Sequence, residues 1–104
     1  MFCAKVHRTA QGTIVAICDE ELLGQELTYG EAKVTVAPEF YFEKRIDYIE
    51  AIVLMREAIC LNLLGNRIVD LAIEQGIVHR DSIMYLTSPS GEKIAYAIVQ
   101  FFSF

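Results

Sequence analysis

The sequence has no Cys-x-x-Cys pair, no cluster of glycines, and no apolar run near the roughly 20 residues that cross a bilayer. Each absence removes a class of function. The longest apolar stretches, Ala51 to Met55 and Ile94 to Val99, are too short to span a membrane, so no membrane partner is expected. The three cysteines, Cys3, Cys18 and Cys60, are odd in number and widely spaced. That pattern supports neither a zinc knuckle nor a disulfide framework, and it suits buried thiols in a reducing compartment. The six glycines fall where a turn or a helix cap is wanted, which leaves none for a phosphate-cradling loop. No nucleotide cofactor is expected. Cations are scarce, since nine Lys and Arg face fourteen Asp and Glu for a net charge of −5, which opposes nonspecific phosphate-backbone binding. The opening MFCAKVHRT lacks the apolar core and cleavage site of a signal peptide, so a cytoplasmic location is expected.

What is present is a single-domain quantity of core. At 104 residues, residues 1–104 make one domain by size, and the 54% apolar content exceeds the usual range of about 45 to 50%. A self-association face is therefore expected, with a homodimer favoured. Phe2, Ala4 and Val6 alternate with Cys3, Lys5 and His7 as a strand with one buried face, and Thr9-Ala10-Gln11-Gly12 reads as a hairpin turn. Thr13 to Cys18 is apolar on both faces, as an inner strand would be. Ala32, Val34 and Val36 mark another half-buried strand, stopped by Pro38. Between these two lies an irregular corner, Asp19 to Gly30.

From Asp47 to Leu64 the sequence reads as one helix, apolar nearly all round and hence buried, with Asp47 at its N-cap. Gly65 would end that helix and Asn66 would cap the next, whose apolar face is Ile68, Val69, Ala72 and Ile73 and whose C-terminal cap is Gly76. The pair would form an αα hairpin. Ile83 to Thr87 and Lys93 to Phe102 read as strands around a Pro89-Ser90-Gly91 turn, the last one apolar on both faces and so central or covered by a second subunit. The expected fold is α+β, a mainly antiparallel sheet packed on an αα hairpin in the order β-β-β-α-α-β-β.

Candidate chemistry is thin. His79-Arg80-Asp81 matches the core of a kinase catalytic loop without any other kinase element, and His7 sits mid-strand with no evident partner. CDEELLG, residues 18 to 24, places a thiol beside three carboxylates, but adjacent side chains diverge and no metal is expected there. The second helix of the hairpin carries Arg67, Asp70, Glu74 and Gln75 outward, a charge balance that argues against DNA as a partner. EFYFEKR, residues 39 to 45, is different: Phe40 and Tyr41 beside Lys44 and Arg45 suit a lid over the core, a protein interface, or RNA bases and phosphates.

ICDEELLG at 17 to 24, EFY at 39 to 41 and LNLLGNRIVDLAIEQGIV at 61 to 78 together resemble the small archaeal family known as domain-of-unknown-function 424. The resemblance implies a single α+β domain of archaeal cytoplasm, without established activity or ligand, associated with translation genes. It carries over to Cys18, Asp19, Leu22, Leu23, Gly24, Phe40, Tyr41, Asn62, Gly65, Ala72 and Gly76. Where many relatives have Pro-His-Ala this chain has Ala95-Tyr96-Ala97, which removes a histidine and weakens an enzymatic reading. Asn62, near the end of the expected, largely buried helix, then needs hydrogen-bond partners, and Asp19, Tyr41 and Asn62 are the residues expected to meet around a cleft. The sequence thus predicts a non-enzymatic interaction module without cofactor or catalytic residues, working with a protein or ribonucleoprotein partner. The alternatives are RNA binding through residues 39–45, and a small enzyme or metal site near Cys18, Asp19 and Asn62.

Overall fold

In the computed structural model of the protein, which describes residues 1–101, a single eight-stranded mixed sheet organises the chain. The elements are β1 (Phe2–Thr9), β2 (Gly12–Asp19), β3 (Glu26–Tyr29), β4 (Ala32–Thr35), α1 (Pro38–Tyr41), β5 (Lys44–Ile46), α2 (Tyr48–Glu57), β6 (Cys60–Leu64), α3 (Asn66–Glu74), β7 (Met84–Thr87) and β8 (Lys93–Gln100). Across the sheet the strands run β4-β3-β7-β8-β6-β2-β1-β5. Every described pairing is antiparallel except that of β2 with β6.

The α+β class holds, and the αα hairpin does not. Residues 47–64 divide into α2 and the central strand β6, because Ala58 and Ile59 leave the helix and Cys60–Leu64 pairs with β2 on one side and β8 on the other. A strand covered on both faces reads as an unbroken apolar run, and periodicity over five residues cannot separate it from a buried helix. The helix also proves less buried than its composition suggests, since α2 buries Ala51 and Met55 and leaves Tyr48, Ile49 and Val53 in solvent. Two short strands, β3 inside the expected corner and β5 starting at the end of EFYFEKR, and the one-turn helix α1 complete the difference in element order. Strand β4 forms as expected but at the sheet edge, where Ala32 and Val34 are exposed.

Other readings stand. Thr9 pairs with Gly12 across a two-residue hairpin turn, and β2 lies inside the sheet. Asp47 Oδ1 accepts from the Glu50 amide at 2.9 Å, capping α2. Helix α3 ends in a Schellman motif: the amide of Ile77 donates to Ala72 O at 2.9 Å and that of Gly76 to Ile73 O at 3.0 Å. Strand β8 is interior to the sheet, and Phe102, expected to extend it, lies outside the described residues.

The two faces of the sheet are treated differently. One is roofed by α2 and α3, whose Ala51, Met55, Ile68, Val69 and Ala72 pack on Ile17, Leu61, Leu63 and Ala97. On the other, α1 supplies Phe40 and Tyr41 over Cys3, Ala16 and Cys18, and Leu27 and Val36 from either end of the β3–β4 hairpin join the same cluster. Alternation along β6 sends Leu61 and Leu63 to the helical side and Asn62 and Leu64 to this second side.

Candidate functional site

The residues expected to meet in a cleft divide between two places. Asp19, the single buried charged residue among those described, leaves the end of β2 and reaches the start of α3. Its Oδ2 accepts from the Arg67 amide at 3.0 Å and its Oδ1 from the Ile68 amide at 2.9 Å. It therefore caps α3 from a distant strand, whereas the one-turn helix Glu20–Leu22 that follows it receives no bond from its side chain. Gly65 occupies the N-cap position of α3 and offers no side chain, and Asn66, expected as that cap, turns to β8 instead. There the Asn66 amide continues the ladder as a backbone unit would, donating to Lys93 O at 2.9 Å and accepting from the Ala95 amide at 2.8 Å.

Arg67 closes this corner from outside. Its guanidinium bonds both oxygens of Glu21 and the carbonyl of Met1, and stacks 5.0 Å from the centre of the Phe2 ring. Burial pushes the Asp19 carboxyl above its ordinary value, against the pull of the Arg67 and Ile68 amides and the guanidinium. Glu21 and Glu20 are held below the usual glutamate value by hydrogen bonds from Arg67 and Arg45 respectively. A depressed carboxylate adds stability that is present above its unfolded value, about 4.3, and lost as pH falls through the folded one. The raised Asp19 acts with the opposite sign: its share of stability is present below its unfolded value, about 3.9, and is lost as pH rises through the raised folded one. Thermal melts of the wild type and of a Glu20→Gln, Glu21→Gln double variant should therefore differ at pH 7 and converge below about pH 4. A gap that stays constant across that range would show that the two arginine pairs add nothing to folding.

Tyr41 and Asn62 do come together. The Tyr41 hydroxyl donates to Asn62 Oδ1 at 2.5 Å, and Asn62 Nδ2 donates to Tyr96 Oη at 3.0 Å, linking α1, β6 and β8. Asn62 thus satisfies its amide from a strand, not a helix. Burial raises the Tyr41 phenol above its usual value, so it stays a protonated donor. We predict that Tyr41→Phe and Asn62→Ala each cost about 1–3 kcal/mol in urea melts, because each strands a half-buried polar partner. The double variant should cost less than their sum. Strict additivity would mean that the bond carries no stability.

The remaining candidates lose their free chemistry. Cys18 faces Cys3 across the β1–β2 pair, and burial, with Cys3 and Asp19 nearby, pushes its thiol up to about 12. Burial likewise raises Cys3, and a protonated buried thiol is a poor nucleophile or metal ligand. Among the described residues no group of three His, Cys, Asp or Glu side chains is placed to hold a metal. Lys44 Nζ lies 4.0 Å from Glu50, and Arg45 makes a two-pronged pair with Glu20 at 2.8 and 3.1 Å, so both cations of EFYFEKR face carboxylates. Phe40 stacks on His7 with centroids 4.7 Å apart, His7 Nε2 meets Phe40 O at 2.9 Å, and Phe40 and Tyr41 act as a lid on the sheet. His79 accepts from the Asp81 amide in an exposed turn.

Sequence reasoning missed what lies beside the Asn62 network. A hollow of about 210 Å³ opens between Tyr41 and β4, floored by Leu64, Leu86 and Tyr96 and rimmed by Tyr29, Val34 and Met84. No lining residue carries a charge. Tyr96 and Ile98 on one face of β8 and the isolated apolar positions of β4 are the available signals, but nothing local says which strands adjoin. Two larger depressions, of about 340 and 320 Å³, lie away from this network, one between the ends of α2 and α3 and one beside Glu21, Gln25 and Glu92.

A mixed sheet roofed by helices on one face and half covered on the other defines the class: an α+β protein with an open apolar sheet face. A family model described as "Protein of unknown function (DUF424)" matches residues 7–95, and the chain belongs to that family. A solved structure, "Crystal structure of an uncharacterized conserved protein from Methanopyrus kandleri", shares the fold with a TM-score of 0.72. At 22% identity it covers 98% of this chain, which covers 94% of it in turn. No match is found among curated proteins. Among the described residues, no helix is long and apolar enough to cross a membrane.

Proposed function

We propose that the protein is a non-enzymatic interaction module whose contact surface is the open half of the sheet face around the Asn62 network. One observation carries this reading: on a chain of net charge −5, large apolar side chains stand in solvent around a hollow with no charged lining. Tyr29 is 54% exposed, Met84 45%, Val34 37% and Ile98, one step along β8 from Tyr96 on the same side, 59%. Scattered apolar residues are ordinary on a surface, whereas several grouped on one face mark a contact site. The buried thiols and the paired cations of residues 39–45 leave the enzymatic and RNA-binding readings with less support. A partner belonging to a ribonucleoprotein agrees with the translation association that the family resemblance implies.

The test is capture from native extract on immobilised wild type and on Ile98→Lys, with protein and RNA in the eluates identified. The reading expects companions, further copies of this chain included, that the wild type retains and the variant loses while its melting temperature is unchanged. Identical eluates sink it. RNA retained by both forms and released by salt would favour the basic loop instead.

A further inference from the structure

Resting on that reading, we propose that the occupant of the open face is a second copy of this chain, placed by a two-fold axis so that Ile98 of each copy enters the hollow of the other. A two-fold contact requires one patch to carry both halves of the fit. Here knob and hollow stand side by side: Ile98 projects from β8 next to Tyr96, which floors the hollow. The volume of about 210 Å³ exceeds the roughly 150 Å³ that holds a benzene ring and falls below the roughly 300 Å³ at which ligand pockets begin. It fits one large side chain better than a metabolite.

Charge points the same way. A partner chosen by electrostatic complementarity to a chain of −5 would be basic, and the lining of this hollow offers it no carboxylate. A neutral apolar face is best matched by another neutral apolar face, and the copy's own meets that need. Size sets the strength. The open strands β3, β7, β8 and β6, about 4.8 Å apart and roughly five residues deep, give an apolar core of about 300 Å². That falls short of the roughly 800 Å² per partner of a standard interface, so a polar rim must complete it and the dimer is reversible, with Kd in about the micromolar range.

Salt separates this contact from its rivals. Two chains of −5 repel at long range, and added salt screens that repulsion, so the dimer should tighten between about 50 and 500 mM salt. Binding of RNA or of a basic protein would weaken over the same range. The experiment is sedimentation velocity on the purified chain across about a hundredfold concentration range spanning the micromolar, at both salts, for wild type, Ile98→Asp, Met84→Glu and Val53→Asp. All three changes are at solvent-exposed positions, and circular dichroism confirms the folding of each variant.

The proposal expects a salt-strengthened monomer–dimer equilibrium in wild type and in Val53→Asp, whose site is on the far side on α2. It expects Kd to rise by about a hundredfold in the other two variants. A dimer lost in Val53→Asp and kept in Ile98→Asp moves the contact to the helical face and overturns it. A wild type that stays monomeric throughout overturns it as well. In that last case the wider reading survives only if Ile98→Lys still loses a captured companion, so the two failures remain distinct.

Discussion

Replacing Gly65 by alanine is expected to cost about 3–5 kcal/mol, comparable with much of the stability of a domain this size. Two causes add. Gly65 has φ 131° and ψ 147°, a region open essentially to glycine, where another residue pays about 1–3 kcal/mol. The added methyl would also sit on the Asp19 carboxylate, closer than any real contact. Asp19 would have to withdraw, releasing the amides of Arg67 and Ile68 from their cap, and Ile68 is fully buried. Gly76 provides the control. Its φ is +71° with open space where a side chain would go, so Gly76→Ala should cost only about 1 kcal/mol. The Asp19→Ala change should lose about 2 kcal/mol through the cap alone. In the Asp19→Ala background Gly65→Ala should then cost less than in wild type, since the steric conflict is gone and only the dihedral penalty remains. Denaturant melts of wild type, the three single variants and the double variant decide it, and equal costs for Gly65→Ala in both backgrounds would remove Asp19 from the explanation.

The second large effect belongs to Leu63→Ala, expected to cost about 3–5 kcal/mol with an unchanged denaturant slope. Leu63 is fully buried on β6 between Ile17 of β2 and Ala97 of β8, under the helical roof. Both flanking strands are held by their ladders, so they cannot close in to fill the vacancy, and the cost should sit toward the high end for leucine truncation. Val34→Ala, on the exposed edge strand, should fall within about 0.5 kcal/mol of wild type. A cost for Leu63→Ala below about 1.5 kcal/mol would mean that the layer relaxes far more freely than its packing implies.

How much of this was legible in sequence depended on whether the signal was local. Asp47 lies three residues from the amide it caps, and Gly76 closes α3 within its own turn, so both were readable. The β1–β2 hairpin and the inner position of β2 followed from alternation and its loss. Strand β6 was not readable, since Cys60–Leu64 carries no glycine, proline or period to separate it from the helix before it. One ambiguity spreads to its neighbours, because reading β6 as helix makes Gly65 a C-cap and Asn66 an N-cap. The need of Asn62 for partners is legible in sequence, but which residues meet is not, because the partners of Asp19, Tyr41 and Asn62 lie 48, 21 and 34 positions away in the chain. Only the strand order of the sheet brings Asn62 to Tyr96 and sends Asp19 elsewhere. The open face is legible in no single segment, because β3, β4, β7 and β8 each contribute one or two of its side chains.

The cap on α3 has a kinetic side. A helix ordinarily carries its own cap and can form before anything packs on it, but the donors at the head of α3 wait for a carboxylate 49 positions earlier in the chain. That carboxylate arrives only when β2 and β6 have paired in parallel, a contact whose loop-closure entropy must be met before it returns any free energy. The start of α3 and the middle of the sheet should therefore order in one step, with the β1–β2 hairpin assembled ahead of both. In a transition-state analysis, Asp19→Ala should then slow folding in proportion to its loss of stability if that step is limiting, and speed unfolding alone if it comes after.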